Sequence, residues 1–220
     1  LLSAMLFALG SVVGFVMTHT NAENFYAFVQ ADLAGDRHPS ATTESLAKTL
    51  YAEKHDTAKL GQFSGYLFMH NTRIGFLCFA LGFLLGIPVV ILIFSNGLML
   101  GAFFALFYGR GLALDLGGWL LPHGITEIFA LILCGGAGLV MGDAILRPGR
   151  KPRLKRLAEQ ARATAPLLIA AMLMLLAAGI LEGVFRQRVT DITVRYSVAV
   201  STGLFWIYYL GIFGDRSRST

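Results

Sequence analysis

Apolar residues in this chain occur in runs long enough to cross a membrane, and short polar stretches separate the runs. A hydrocarbon core of about 30 Å needs about 20 apolar residues as a helix. Only helices and closed barrels satisfy the backbone in lipid, and the chain lacks the period-two alternation of a barrel. The pattern therefore predicts an all-α, polytopic transmembrane helix bundle of about six spans. The spans are Leu1–Met17, Tyr66–Ile87, Pro88–Gly109, Pro122–Leu146, Ala165–Phe185 and Thr193–Phe213.

Two features of the runs bear on where helices begin and turn. Pro122 and Pro166 are predicted at helix starts, where a missing N–H is not needed. The second and third spans are predicted as a hairpin that turns at residues 86–88. The alternative is one long span followed by a re-entrant half-helix after residues 95–97.

Charge gives the predicted orientation. Residues 147–162 carry seven Arg or Lys against one acid, and apolar runs flank them on both sides. This is typical of a cytoplasmic loop between two spans rather than a nucleic-acid-binding patch. Residues 18–62 carry six acids against four bases, so they are predicted outside the cytoplasm. The result is a multi-pass protein of the cytoplasmic membrane with both termini in the cytoplasm.

The predicted organisation follows from these spans and loops. It comprises a first span at 1–17, an extracytoplasmic segment at 18–62, a core with the second to fourth spans at 63–146, a basic cytoplasmic loop at 147–163, and the last two spans with the C-terminus at 164–220. In the extracytoplasmic segment, one helical face is apolar at Phe25, Phe28, Val29 and Leu33, with Asn21 as the cap. A weaker stripe has Leu46 and Leu50. The segment is predicted to lie on the membrane surface or against the bundle.

Composition agrees with a membrane protein, because 55% of the residues are hydrophobic and only 14% are charged. The chain opens inside an apolar run without a Met or a basic flank, so we expect the natural N-terminus to extend further. Cys78 and Cys134 each lie within an apolar run and are predicted to be small core residues.

Glycines recur at four-residue spacing, which lets helix backbones approach closely. The pairs are Gly82 and Gly86, Gly97 and Gly101, Gly138 and Gly142, and Gly179 and Gly183. Packing within one bundle is the main expectation for them, and dimerisation through one of them is the alternative.

Polar residues within apolar segments are costly, so they mark the candidate site. His123 and Glu127 share a helical face and are expected about 8 Å below the outer start of their span. Glu182, Asn71 and Arg73 are expected at a similar level, and the main polar candidates deeper in the membrane are Ser95 and Asn96. The predicted intramembrane polar cluster is Asn71, Arg73, Asn96, His123, Glu127 and Glu182.

Three interpretations of this cluster remain open. Arg73 could neutralise the carboxylates and make the cluster purely structural. Paired carboxylates could instead relay protons or ions. His123, Glu127 and Glu182 form a weak candidate for a metal site, because no H-E-x-x-H motif is present. No nucleophile motif is present either, so no catalytic residue and no cofactor are predicted.

Several segments together resemble the stage II sporulation protein M family. They are "HNTRIGFLCFALGFLLGIP", "FSNGLMLGAFFALF", "LPHGITEIFALILCGGAGLVMG" and "AAGILEGVF", covering most of residues 71–185. The resemblance implies a multi-pass membrane protein. In the sporulating members of the family, the protein resembles an assembly scaffold, and the role of the other members is open. The motif positions that the resemblance implies are Asn71, Asn96, Gly97, His123, Gly124, Glu127, Gly138 and Glu182. Residues 18–62 are expected to lie outside the motif.

The sequence thus gives two functional expectations. The first is a non-catalytic membrane scaffold that docks other membrane or envelope proteins through the extracytoplasmic segment and the glycine-lined helix faces. The second is a transport or channel component that uses Glu127, Glu182 and Asn96. The expected partners are membrane lipids and proteins, not nucleic acid, and a homo-oligomer is left open.

Overall fold

The computed structural model describes residues 1–51 and 57–216. Within these ranges the chain forms helices and no strands, which confirms the all-α class. In chain order the helices are α1 (Leu2–Thr20), α2 (Asn24–Phe28), α3 (Ala31–Ala34), α4 (Thr43–Leu50), α5 (Thr57–Ala80), α6 (Ile87–Tyr108), α7 (Ala113–Leu146), α8 (Arg153–Arg188) and α9 (Ile192–Arg216).

Four of these helices are long and apolar enough to cross a membrane, within the part of the chain that the structure describes. They are α1, α6, α7 and α8, and they identify the chain as a membrane protein. Helices α5 and α9 have 24 and 25 residues and occupy the positions of the second and sixth predicted spans. They are not among the four, so the expected number of six spans is not confirmed.

Two predicted helix starts are wrong. Helix α7 begins at Ala113 and α8 at Arg153, so Pro122 and Pro166 both lie inside helices. A proline removes one backbone hydrogen bond, but neighbouring helices can offset this loss in a membrane bundle. Because α8 starts early, most of the segment predicted as a basic loop at 147–163 is helical.

The chain turns between α5 and α6, as the hairpin interpretation predicts. Leu85 and Gly86 have φ values of 59° and 75°, so both lie in the left-handed region. Gly86 adopts this conformation at no steric cost because it has no side chain. Helix α6 then runs without interruption through residues 95–97, so the half-helix alternative is wrong.

Residues 21–51, here called the cap, fold over one end of the bundle. The cap contains α2, α3 and α4, and its apolar side chains form one core with residues of α6 and α7. Phe25, Leu33, Leu46 and Leu50 are at most 1% exposed in this core. The apolar face of the cap therefore lies against the bundle. Its first stripe is divided between two short helices, because the backbone is extended at Val29 and Gln30.

Glycines bring the helix backbones of the bundle into contact. A Cβ atom at Gly97 or Gly101 would overlap backbone carbonyl oxygens of α1. The matching glycines of α1 are Gly10 and Gly14, a further pair at four-residue spacing that the sequence analysis missed.

The other predicted glycine pairs divide into two groups. Gly82 lies against Gly138, and Gly86 lies close to Gly142, so both pairs pack within the bundle. Gly179 faces the ring of Phe68. At Gly183, no atom of the described residues outside its own helix lies within 4 Å of the position that a Cβ would take.

A second core lies further along the bundle from the cap. It contains Phe7, Val89, Ile93 and Leu175, together with Cys78 and Cys134, which are buried and free. Helix α7 has 34 residues and is about 51 Å long, so it connects the cap to the basic end of the bundle.

Candidate functional site

One face of α7 carries four polar or aromatic side chains at four-residue spacing. They are Asp115, Trp119, His123 and Glu127, and residues four apart lie one above another on a helix. Trp119, His123 and Glu127 are buried, and Asp115 is half-buried at the cap end. Glu127 is fourteen residues from the start of α7, about 21 Å along it. The expected 8 Å is wrong because α7 begins earlier than predicted.

Glu127 is held by a residue of another helix. The Asn71 side-chain amide of α5 donates a 2.9 Å hydrogen bond to Oε2 of Glu127. The second carboxylate oxygen, Oε1, accepts no hydrogen bond from the described residues. Glu182 of α8 is 1% exposed and lies close enough to Glu127 for electrostatic interaction. The structure thus brings Asn71, Glu127 and Glu182 together from three helices.

Arg73 does not take part in this arrangement. Its side chain is exposed, whereas Asn71 is buried. Residues two apart on a helix point to different sides, so α5 cannot present both to Glu127. The expectation that Arg73 meets and neutralises the carboxylates is therefore wrong.

Asn96 lies near the cluster on α6 but makes a local bond. Its Nδ2 donates a 2.8 Å hydrogen bond to the carbonyl of Leu92, one turn earlier in the same helix. This bond leaves the buried oxygen Oδ1 of Asn96 for other donors. His70 of α5 lies beside the Asn96 side chain.

The cap reaches the same face of α7 through Arg37. This arginine is only 7% exposed, and its guanidinium carbon lies 5.4 Å from the centre of the Trp119 ring. The Trp119 ring meets the His123 ring edge to face at 5.8 Å. A continuous line of contacts therefore runs from Arg37 in the cap to the histidine above Glu127.

A cavity of about 100 Å³ lies between the cap and this cluster. Asn71, Asn96 and Glu127 line it from the bundle, and Leu33 and Arg37 line it from the cap. Most of the remaining wall is apolar, with Phe7, Met99, Phe103 and Leu131 among its residues. The space is sufficient for several water molecules or a small ion.

A second polar cluster ties the end of the cap to the bundle. The Tyr51 hydroxyl donates a short hydrogen bond to Oδ1 of Asp115. The Arg195 guanidinium lies 5.2 Å from the centre of the Tyr51 ring, and its Nε donates a 2.9 Å bond to the carbonyl of Val189. Burial, followed by the bond to Asp115, raises the pKa of Tyr51 to about 12.

Sequence reasoning missed Asp115, Trp119, Arg37 and this second cluster. The four-residue spacing that selected His123 and Glu127 extends backwards to Trp119 and Asp115 and could have found them. The positions of Arg37, Tyr51 and Arg195 carry no comparable local signal.

The described residues contain no group of three His, Cys, Asp or Glu side chains placed to hold a metal ion. The weak metal candidate of His123, Glu127 and Glu182 therefore has no geometric support. The chemistry that the cluster offers is carboxylate and amide oxygen beside a small cavity.

Comparison with known proteins identifies the family. A family model described as stage II sporulation protein M matches residues 3–185. This chain belongs to that family. The match begins at residue 3 and so includes the cap, which lies before the residues 71–185 that carry the resemblance. No curated protein and no solved structure matches the chain significantly.

The matched region gives the site its context. As a member of the stage II sporulation protein M family, the chain has its cap, its cavity and the Asn71–Glu127–Glu182 cluster all within residues 3–185. Of the remaining motif positions implied by the resemblance, Gly97 and Gly138 lie at close helix contacts. Gly124 is buried on α7 and also lines the cavity.

Proposed function

We propose that this protein is a non-catalytic membrane assembly component whose cap docks a partner protein. The proposal rests on one observation: the side of the cap that faces away from the bundle is acidic. Its exposed ionisable side chains are Glu23, Asp32, Asp36, Glu44 and Lys48. The cap core holds these side chains in fixed relative positions, because the leucines and Phe25 beneath them are buried.

This version of docking differs from the one expected from sequence. The apolar face of the cap packs on α6 and α7, and the glycines of α6 pack on α1. Those surfaces are occupied within the bundle, whereas the polar side of the cap is exposed and is the docking surface that we propose. Charge complementarity then favours a partner with a basic surface. We infer that the cap faces the extracytoplasmic side of the cytoplasmic membrane, and that the partner acts in the cell envelope.

Charge reversal on the cap tests this proposal. A photo-crosslinking residue placed at Ser40, which is exposed, captures neighbours in native membranes, and the recovered partner is then titrated against purified protein. We expect Asp36→Lys with Glu44→Lys to weaken binding at least about tenfold, because like charges then face each other. Glu159→Lys, a charge reversal of half that size at the opposite end of the bundle, is the control. Equal binding by the cap variant and this control would contradict the proposal.

A transport component is the second candidate function, and the cavity beside Glu127 favours it. Buried carboxylates in membrane proteins are typical of proton and ion pathways. The test is reconstitution into vesicles with an imposed pH or ion gradient, comparing the wild type with Glu127→Gln. Movement of protons or ions that requires Glu127 would support this candidate. Vesicles that show no movement of protons, ions or lipid over a range of pH would eliminate it.

A further inference from the structure

A groove of about 660 Å³ opens at the basic end of the bundle, away from the cap. It lies between the start of α1, the turn before α6, the end of α7 and the start of α8. Its apolar wall includes Ile87, Val90, Leu139 and Val140. Ile87 and Val140 are about half exposed, at 59% and 43%. The groove thus offers an open apolar surface of the size that small-molecule sites usually have.

The polar edge of the groove is provided by Arg147, Arg156 and Gln160, together with Asp143. Asp143 is occupied by Arg147, whose Nε donates a 2.6 Å hydrogen bond to Oδ1. Lys151 is similarly paired with Glu159 at 2.6 Å. Each acid near the groove therefore has a basic partner on its own segment.

Arg156 lies within electrostatic range of Glu159, whose carboxylate is bonded to Lys151. Its side chain is half-buried at the groove, and it makes no side-chain hydrogen bond or salt bridge within the described part of the chain. The Gln160 amide, one turn later on α8, is also half-buried and makes no side-chain bond there. A guanidinium with an amide beside it can donate several hydrogen bonds to one phosphate group. The groove therefore combines a donor edge with an apolar wall.

We propose that this groove binds one anionic phospholipid. Arg156 and Gln160 hold the lipid phosphate, and one acyl chain lies along Ile87, Val90 and Val140. Charge supports a lipid of this class, because residues 147–162 carry seven bases against one acid. Basic pockets between transmembrane helices are typical sites for anionic head groups. The acidic cap at the other end of the bundle lacks this complementarity.

The test uses the full chain in detergent micelles, with native mass spectrometry to count bound phosphatidylglycerol and phosphatidylcholine added in equal amounts. We expect wild-type protein to retain one phosphatidylglycerol with about fivefold preference, the effect of one interfacial arginine. Arg156→Gln removes the phosphate contact, and Val140→Trp fills the acyl wall without changing charge. Both variants should lose the preference.

Arg150→Gln is the matched control, since Arg150 is exposed and does not line the groove. It removes the same charge and should keep the preference. Equal loss in Arg150→Gln and Arg156→Gln would show diffuse surface attraction and overturn the proposal. Retention of phosphatidylglycerol by both Arg156→Gln and Val140→Trp would overturn it as well. Unfolding temperatures in phosphatidylcholine alone verify that the variants are folded.

Discussion

Two polar clusters meet the same face of α7, and they differ in how their charges are balanced. At the cap end, Asp115 accepts a hydrogen bond from Tyr51, and the cation Arg195 stacks on that tyrosine. Deeper in the bundle, Glu127 lies near a second carboxylate, and its donor Asn71 is a neutral side chain.

The difference indicates different roles. At the cap end, the acid has both a cation and a hydroxyl beside it, so the interactions of this cluster hold the cap to the bundle. Neighbouring carboxylates disfavour the charge of each other, and Oε1 of Glu127 accepts no hydrogen bond from the described residues. Repulsion of this kind is expected where a binding or transport role maintains it. The cap-end cluster should therefore respond to mutation through stability, and the deeper cluster through function.

The largest expected effect comes from removing the acid of the cap-end cluster. Asp115→Ala leaves the 2% exposed Arg195 side chain without its nearby acid and removes the Tyr51 bond. We expect a loss of about 3 kcal/mol in unfolding free energy, the upper end of the cost of losing a hydrogen bond to a charged group. The measurement is denaturant unfolding in micelles, with limited proteolysis to follow release of the cap. Asp36→Ala, an exposed acid of the cap, is the control and should change little. An Asp115 variant as stable as this control would show that the cluster does not hold the cap to the bundle.

Next in size is the loss of the donor to Glu127. Asn71→Ala leaves a buried carboxylate oxygen without its 2.9 Å hydrogen bond, which we expect to cost about 2 kcal/mol. Thr72→Ala, the adjacent half-buried residue on α5, is the control for helix propensity and cavity formation. A double-mutant cycle with Glu127→Gln measures the coupling between the two side chains. Additive effects would mean that the amide and the carboxylate do not act as a pair.

Glu127→Gln alone is expected to leave stability unchanged or slightly higher. The glutamine keeps a carbonyl oxygen for the Asn71 amide and removes the repulsion from Glu182. Thermal unfolding at neutral pH is the measurement, with Glu182→Gln in parallel. We expect both variants to remain within about 0.5 kcal/mol of the wild type, the range of substitutions that break no required contact. A loss as large as that for Asn71→Ala would indicate that the carboxylate charge itself holds the helices together.

The two clusters also differ in how far sequence could predict them. His123, Glu127, Glu182 and Asn71 were selected because polar residues within apolar runs are rare, and the structure brings Asn71, Glu127 and Glu182 together. The position of Arg73 was predicted wrongly because only its level along the span was considered. Successive residues of a helix are rotated by about 100°, so Arg73 and Asn71 lie on different faces of α5.

The cap-end cluster and the packing of the cap could not be predicted in the same way. Tyr51, Asp115 and Arg195 are separated by more than sixty residues along the chain and meet only after α7 and α9 have packed. The turn before α6 and the second core, in contrast, follow local signals. The turn has a glycine at its left-handed position, and the core is formed by small or branched residues in the apolar runs of α6 and α7. The helix starts failed because proline is a reliable start signal only where packing does not support a longer helix.

The smallest expected effect is a pH dependence confined to the cap end. The pKa of Tyr51 is raised to about 12 from its ordinary value of 10, chiefly by burial and then by the bond to Asp115. The neutral phenol is therefore favoured in the folded state, so its contribution to stability is complete below pH 10 and is lost as the pH rises to about 12. Tyrosinate absorbance of the wild type minus that of Tyr51→Phe should show this late titration, and cap proteolysis should increase over the same interval only in the wild type. Titration of Tyr51 near pH 10, together with equal resistance of the cap to proteolysis in both proteins, would contradict this prediction. It would show that the cap-end cluster does not hold the cap to the bundle.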